Sequence, residues 1–251
     1  MRRIVTGTIA LVLLAGAFPM EAHAQQDHQN LAIVYKLLLD QQALVFPEGG
    51  TQFGATPGAL LNSGDQVVTG DNTRAAIRFT DDGSIIRMNP DSELRITAEG
   101  ERSALRKTIN IDFGELWAKV NRREGAEYRI ETPTAVAAVK GTEFYVRVGP
   151  NGETTIITTD GVLDFFTGVG TVEIPAGTTG TVLTATEAPA VAQTQPGEVQ
   201  SFGDLAGEDE GGDESEFVEI VITFMDASGN QKTMTILLPR AEARQYLPPA
   251  S

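Results

Sequence analysis

The 251-residue chain contains no cysteine. Disulfides, thiolate metal sites and a cysteine nucleophile are thereby excluded. Histidine is nearly missing too, with only His23 and His28, both near the N-terminus. A Ser-His-Asp triad needs its base fixed in a folded framework, and a histidine-rich zinc site needs several such residues, so neither chemistry is available. Positive charge is scarce, 19 Lys and Arg against 34 Asp and Glu. Such a surface repels nucleic-acid phosphates and anionic lipid. No nucleic-acid partner, metal or other cofactor is expected.

Long apolar runs are confined to the start. Arg2 and Arg3 precede an apolar stretch from Ile4 to Phe18, and Ala22-His23-Ala24 precedes Gln25. A basic start, a greasy segment and a small-x-small site are the parts of a secretory signal peptide. The apolar stretch, about 15 residues, is shorter than the roughly 20 that span hydrocarbon. Cleavage is expected after Ala24, giving a soluble periplasmic or secreted protein with no membrane span. Loss of residues 1–24 removes Arg2, Arg3 and Glu21 and leaves 17 basic and 33 acidic side chains, a net charge of −16.

The remainder divides by composition. Residues 25–58 form a lead-in of mixed character, in which Leu31 to Leu39 suits either a short helix or a buried strand. Residues 59–186 are dense in β-branched residues and glycine. Residues 187–216 read as an acidic flexible linker, 217–240 as a separate β-hairpin, and 241–251 as a tail.

Within the central region apolar residues alternate with period two. Ala75, Ile77 and Phe79 share one face, as do Leu94 and Ile96, Ile109, Ile111 and Phe113, and Tyr128 and Ile130. Turn signals close most of these strands: Gly70-Asp71-Asn72, Asp81-Asp82-Gly83, Asn89-Pro90-Asp91, Pro150-Asn151-Gly152 and Asp160-Gly161. Thr132-Pro133 opens a small-residue apolar run that breaks at Gly141-Thr142 before Phe144, Val146 and Val148, two short strands turning a corner. Short strands at roughly ten-residue spacing predict an all-β fold, a sandwich, barrel or short-stranded β-solenoid.

Four signatures occur in order: Gly64-Asp65-Gln66-Val67-Val68-Thr69-Gly70, then Asp82-Gly83-Ser84, then Gly114-Glu115-Leu116-Trp117, then Thr132-Pro133-Thr134-Ala135 leading to Lys140-Gly141-Thr142-Glu143-Phe144. Their order and spacing resemble the FecR domain, the periplasmic domain of the ferric-citrate signalling regulator, over roughly Ala59 to Val182. The resemblance implies an all-β, solenoid-like domain with an extracytoplasmic binding or signal-relay role. In that regulator the domain follows a cytoplasmic anti-sigma segment and a membrane helix. Here a signal peptide is expected instead, so control of a sigma factor is not carried over. The motif residues are read as structural. Gly70, Gly83 and Gly141 lie where the chain must bend and glycine permits positive φ, while Asp65, Thr69 and Asp82 can hold turns by bonding nearby amides.

Candidate contact residues are few. If Leu116, Ala118 and Val120 face the core, Trp117 faces out beside Lys119; if Phe144 and Val146 face in, Tyr145 faces out beside Arg147. Outward aromatics beside cations suit sugar stacking or protein contact, unless a further layer covers them. In the C-terminal hairpin Val218, Ile220, Ile222 and Phe224 alternate with Glu219 and Thr223, with Val221 an apolar exception, and Met234, Ile236 and Leu238 alternate with Thr233, Thr235 and Leu237, giving Phe224 and Ile236 an apolar face to offer. A lone hairpin is marginal in water; it must pack on the β domain, extend a sheet edge or pair with another protein. The acidic run Glu208 to Glu216 lacks the fixed ligand spacing of an EF-hand and reads as solvated chain.

Together these features predict an exported, non-enzymatic binding, signalling or scaffolding module of the bacterial periplasm or envelope, with an envelope protein or glycan as partner. A carbohydrate-active enzyme using paired carboxylates, or a purely structural envelope protein, are the alternatives. N-terminal sequencing of the protein recovered from an exporting host is expected to begin at Gln25; a chain retaining Met1 would overturn the leader assignment.

Overall fold

β-branched residues favour extended backbone, and glycine, proline and Asp/Asn clusters interrupt it every few residues. Nearly all regular structure is accordingly strand. The computed structural model describes residues 29–39, 42–101, 104–203, 217–225 and 231–239. In chain order the first strands are β1 (Ala32–Leu39), β2 (Ala43–Phe46), β3 (Phe53–Gly54), β4 (Leu60–Leu61), β5 (Gln66–Thr69), β6 (Thr73–Phe79), β7 (Ile85–Met88), β8 (Glu93–Glu99) and β9 (Arg106–Lys119). They continue as β10 (Glu127–Glu131), β11 (Val136–Val139), β12 (Glu143–Val148), β13 (Thr154–Asp160), β14 (Val162–Thr167), β15 (Gly170–Pro175), β16 (Thr178–Val182) and β17 (Ala190–Gln193). A 3-10 turn, Gln200–Phe202, follows, and β18 (Phe217–Met225) and β19 (Gln231–Pro239) pair as a separate two-stranded sheet. The fold is all-β, as expected; four of the five turn clusters read from the sequence fall between consecutive strands, and the fifth, Asp160-Gly161, begins on the last residue of β13.

Hydrogen bonding arranges β1 to β17 in two sheets. Sheet I runs β4-β1-β6-β7-β9-β12-β13-β16-β17. Sheet II runs β3-β2-β5-β8-β9-β10-β11-β14-β15. From β10 onward, successive hairpins alternate between sheets: β10–β11 in II, β12–β13 in I, β14–β15 in II, β16–β17 in I. Strand β9 belongs to both. Its Arg106–Phe113 half pairs with β8 of sheet II, and its Gly114–Lys119 half with β12 of sheet I.

The inner faces of the two sheets share one core. Ile77, Ile86, Leu116, Phe144, Val146 and Ile156 from sheet I meet Val67, Leu94, Ile96, Ile109, Ile130 and Phe165 from sheet II, all fully or almost fully buried. Burying such side chains contributes about 1.5–3 kcal/mol each, which short strands need because isolated ladders are marginal.

Several expectations change. Of the two readings open for Leu31 to Leu39, strand holds over Ala32–Leu39, and with β2 and β3 the segment read as a lead-in supplies strands to both sheets. The part of the flexible linker before Asp204 is ordered instead: β17 pairs with β16, and residues 197–203 lie on sheet I. The acidic run Glu208 to Glu216 lies outside the described residues. Phe113 does not share the inner face with Ile109 and Ile111; it is 43% exposed. Leu94 pairs with Ile111 but Glu93 with Phe113, so Asp112 is an extra residue that reverses the alternation. Gly83 and Gly141 have φ of +71° and +89°, but Gly70 does not have positive φ; there a Cβ would meet the Gln42 carbonyl at 3.0 Å.

Gly114, where β9 changes sheets, has φ +111°, and a Cβ there would lie 2.4 Å from Ser92 Oγ and 2.5 Å from Ser92 Cα. Gly114→Ala is expected to lose about 3 kcal/mol by combined backbone strain and overpacking. Gly54→Ala, with nothing within 4 Å of the added carbon, is expected to stay within about 0.5 kcal/mol. Thermal unfolding of both variants checks the contrast.

Candidate functional site

Two places gather charged and aromatic side chains. The first is inside the sandwich. Alternation along β9 turns Lys107 inward with Ile109 and Ile111, and it is fully buried. The Asp81-Asp82-Gly83-Ser84 turn between β6 and β7 reaches it from sheet I. Lys107 Nζ lies 2.5 Å from Asp81 Oδ1 and 2.7 Å from Asp82 Oδ2, and donates to Tyr128 Oη at 2.8 Å. It also sits over the Phe79 and Tyr128 rings, 4.8 and 4.6 Å from their centroids. Tyr128 Oη donates to Asp82 Oδ2 at 2.5 Å, and the Ser84 amide donates to Asp82 Oδ1 at 2.8 Å. Arg123 closes the cluster on Asp81 Oδ2 at 3.3 Å.

Two cations thus face two carboxylates, which is what makes burial tolerable. Burial alone would raise the Asp82 carboxyl, but hydrogen bonds from Lys107, Tyr128 and the Ser84 amide outweigh it and hold the group below its usual range. Burial, and then the Asp82 charge, push the Tyr128 phenol far above its usual value, so it stays a donor. Beside the cluster a concavity of about 310 Å³ is lined by residues 120–128 and 139–141, among them Arg122, Glu124, Glu127, Tyr128 and Lys140.

The second place is the outer face of sheet I. Register aligns Lys36, Ala76, Arg87, Trp117, Tyr145, Ile157 and Thr179 across seven strands. Trp117 and Tyr145 face out from the core, as expected, yet they are only 2% and 3% exposed. Of the two readings, free-standing or covered by a further layer, the second holds, because a second apolar layer forms over them. Arg87 stacks on Trp117 at 4.4 Å, Arg78 on Tyr35 at 5.1 Å, and Phe202 tilts against Tyr145 at 5.1 Å. Arg147 in turn covers Phe202 at 4.3 Å.

Residues 197–203 act as a strap over this face. Glu198 Oε2 accepts from Thr179 Oγ1 at 2.6 Å, Ser201 Oγ from Arg147 at 2.8 Å, and the Phe202 carbonyl from Asn89 Nδ2 at 2.9 Å. Glu115 links Asn89 to Arg147 at 2.7 and 2.5 Å. The strap was invisible in the sequence. Its one signal is Phe202, an isolated aromatic in a polar segment.

The family-motif residues hold turns. Asp65 accepts from the Asn62 amide at 2.8 Å and the Glu48 amide at 3.3 Å. Thr69 Oγ1 donates to the Asn89 carbonyl at 2.7 Å and accepts from the Ser92 amide at 2.9 Å. Thr132 bonds Ala135 just after Pro133, and Thr142 bonds the Val162 carbonyl. Gly64 has φ +93° beside Glu48. Backbone pairing sets Phe224 opposite Lys232 and Ile236 opposite Ile220; the side chains of these residues lie outside what is described. Among the described residues no group of three His, Cys, Asp or Glu could hold a metal, and no helix is long and apolar enough to cross a membrane.

Replacing Lys107 by Met leaves two carboxylates buried and is expected to cost about 3–5 kcal/mol in urea unfolding. The Asp82 contribution is complete above pH ~4, the unfolded group's value, and is lost as pH falls through its lower folded value. Asp82→Asn is therefore expected to flatten the acid limb of the stability profile.

Residues 65–163 match the family described as FecR protein. Among solved structures, two crystal structures of a candidate anti-sigma factor from Parabacteroides distasonis ATCC 8503 are similar at 15% identity, with TM-scores of 0.47 and 0.46. Each overlap covers 54% of this chain, but only 63% and 62% of the other. No curated protein matches the chain. The matched range runs from β5 into β14, carries both the Lys107 cluster and the β9 crossing, and is a FecR domain.

Proposed function

We propose that the chain is an exported, non-catalytic signalling or scaffolding module that works by protein contact in the bacterial periplasm or envelope. The FecR domain carries this reading, since that family implies signal relay outside the cytoplasm. The signal-peptide layout of residues 1–24 supports the location.

The chemistry of the charged groups favours binding over catalysis. Asp81 and Asp82 lie side by side, but both are neutralised by Lys107 and Arg123 and shielded from substrate. Of the carboxylates lining the concavity, Glu127 is 55% exposed and paired with Arg106, and Glu124 is exposed. Neither has the apolar surroundings that set a general acid apart from its partner base in glycoside hydrolysis. A protein partner suits the FecR relationship better than a glycan.

Osmotic-shock fractionation is expected to release the chain with soluble exported proteins, and in-cell cross-linking to give one discrete protein adduct. Retention in the cytosol, or steady turnover of a polysaccharide by the purified chain, would overturn the proposal.

A further inference from the structure

The outer face of sheet I is buried over a wider area than the strap reaches. The strap's contacts fall on Arg74, Asn89, Tyr145, Arg147 and Thr179. Ile33, Arg78 and Ile85 form a different cross-strand row, four residues or roughly 13 Å along β6 from Arg74. Ile33 and Ile85 point out from the core, yet they are 5% and 8% exposed, and neighbouring Tyr35 is 9% exposed.

We propose that the chain's own C-terminal hairpin, β18–β19, docks in cis on this part of sheet I and completes the layer that the strap begins. Register sets Val218, Ile220 and Ile222 opposite Leu238, Ile236 and Met234, which places six apolar residues on one hairpin face. A two-stranded hairpin needs such a partner surface to be stable. The path is short. The strap runs from Thr179 on β16 to Gly203, whose added Cβ would lie 2.7 Å from Arg74 Nη2, and Arg74 is paired with Leu38 of β1. Residues 204–216 reach up to about 45 Å from there, and tethering at that distance keeps the local concentration of hairpin high. Each hairpin strand has nine residues, about 30 Å, against about 14 Å from β1 to β9 across sheet I.

The absence of cysteine makes one introduced thiol a clean reporter in the full chain. Ile85→Cys is expected to react with maleimide several-fold more slowly than Phe113→Cys, which stands on the exposed face of sheet II. Adding Ile220→Asp with Ile236→Asp should bring the Ile85→Cys rate up towards that of Phe113→Cys. Thr223→Asp, on the opposite hairpin face, should leave it slow, with the strand signal in circular dichroism unchanged throughout. A fast thiol in the unaltered hairpin background, or a slow one indifferent to the double Asp change, would overturn the proposal. So would protection seen only in a sedimenting dimer, which would place a second copy's hairpin on the face.

Discussion

One strand joins the two sheets, and the rest of the sandwich depends on how it does so. Because β9 lends its first half to sheet II and its second half to sheet I, the inner faces of both sheets are set by one backbone. The crossing needs two local irregularities. Asp112 is unpaired, which reverses the alternation of side chains, and Gly114 takes a positive φ against Ser92. Ile109 and Ile111 before the crossing, and Leu116 and Ala118 after it, thereby all point into the same core. Without the extra residue Trp117 would enter the core in place of Leu116.

The same strand carries the electrostatic tie. Lys107 leaves β9 on the sheet II side and binds the β6–β7 turn of sheet I, so this one strand ties the two layers both through its backbone and by charge. A buried ammonium is unfavourable unless its charge is matched and its protons are placed. Here Asp81, Asp82 and Tyr128 accept its hydrogen bonds or charge while Phe79 and Tyr128 offer ring faces. Arg123 balances the second carboxylate. The Asp-Gly-Ser motif is thus more than a turn: its aspartate and serine orient the polar end of the core.

Much of this was legible from residue order. The all-β fold, the turn positions and the inward faces of β6, β8 and β10 followed from period-two alternation. What alternation cannot report is a change of parity, and so Phe113 was placed on the wrong face. Nor can it report a second layer. Trp117 and Tyr145 were read correctly as facing away from Leu116 and Phe144, but burial on that side depends on residues 197–203, far along the chain. Long-range cover of this kind leaves no local pattern. Lys107 was missed for a similar reason, because a lone basic residue in an alternating strand looks like a solvated position until its partners, some 21 to 26 positions away, are brought beside it.

The two outer faces are consequently unlike as surfaces. On sheet II charged pairs such as Arg106 with Glu99 and Glu127 are more than half exposed and contribute little to stability. On sheet I the cations lie against rings, where Arg78, Arg87 and Arg147 exchange hydration for aromatic faces. In so acidic a chain this concentrates positive charge and aromatic area in one covered layer. A partner that used the Trp117 and Tyr145 row would have to displace Phe202, breaking its hydrogen bond from Asn89 and its stacking under Arg147. Its apparent affinity would be lowered by the fraction of molecules in which the strap is open. Recognition through sheet I would then respond to anything that loosens the strap, whereas recognition through sheet II would not.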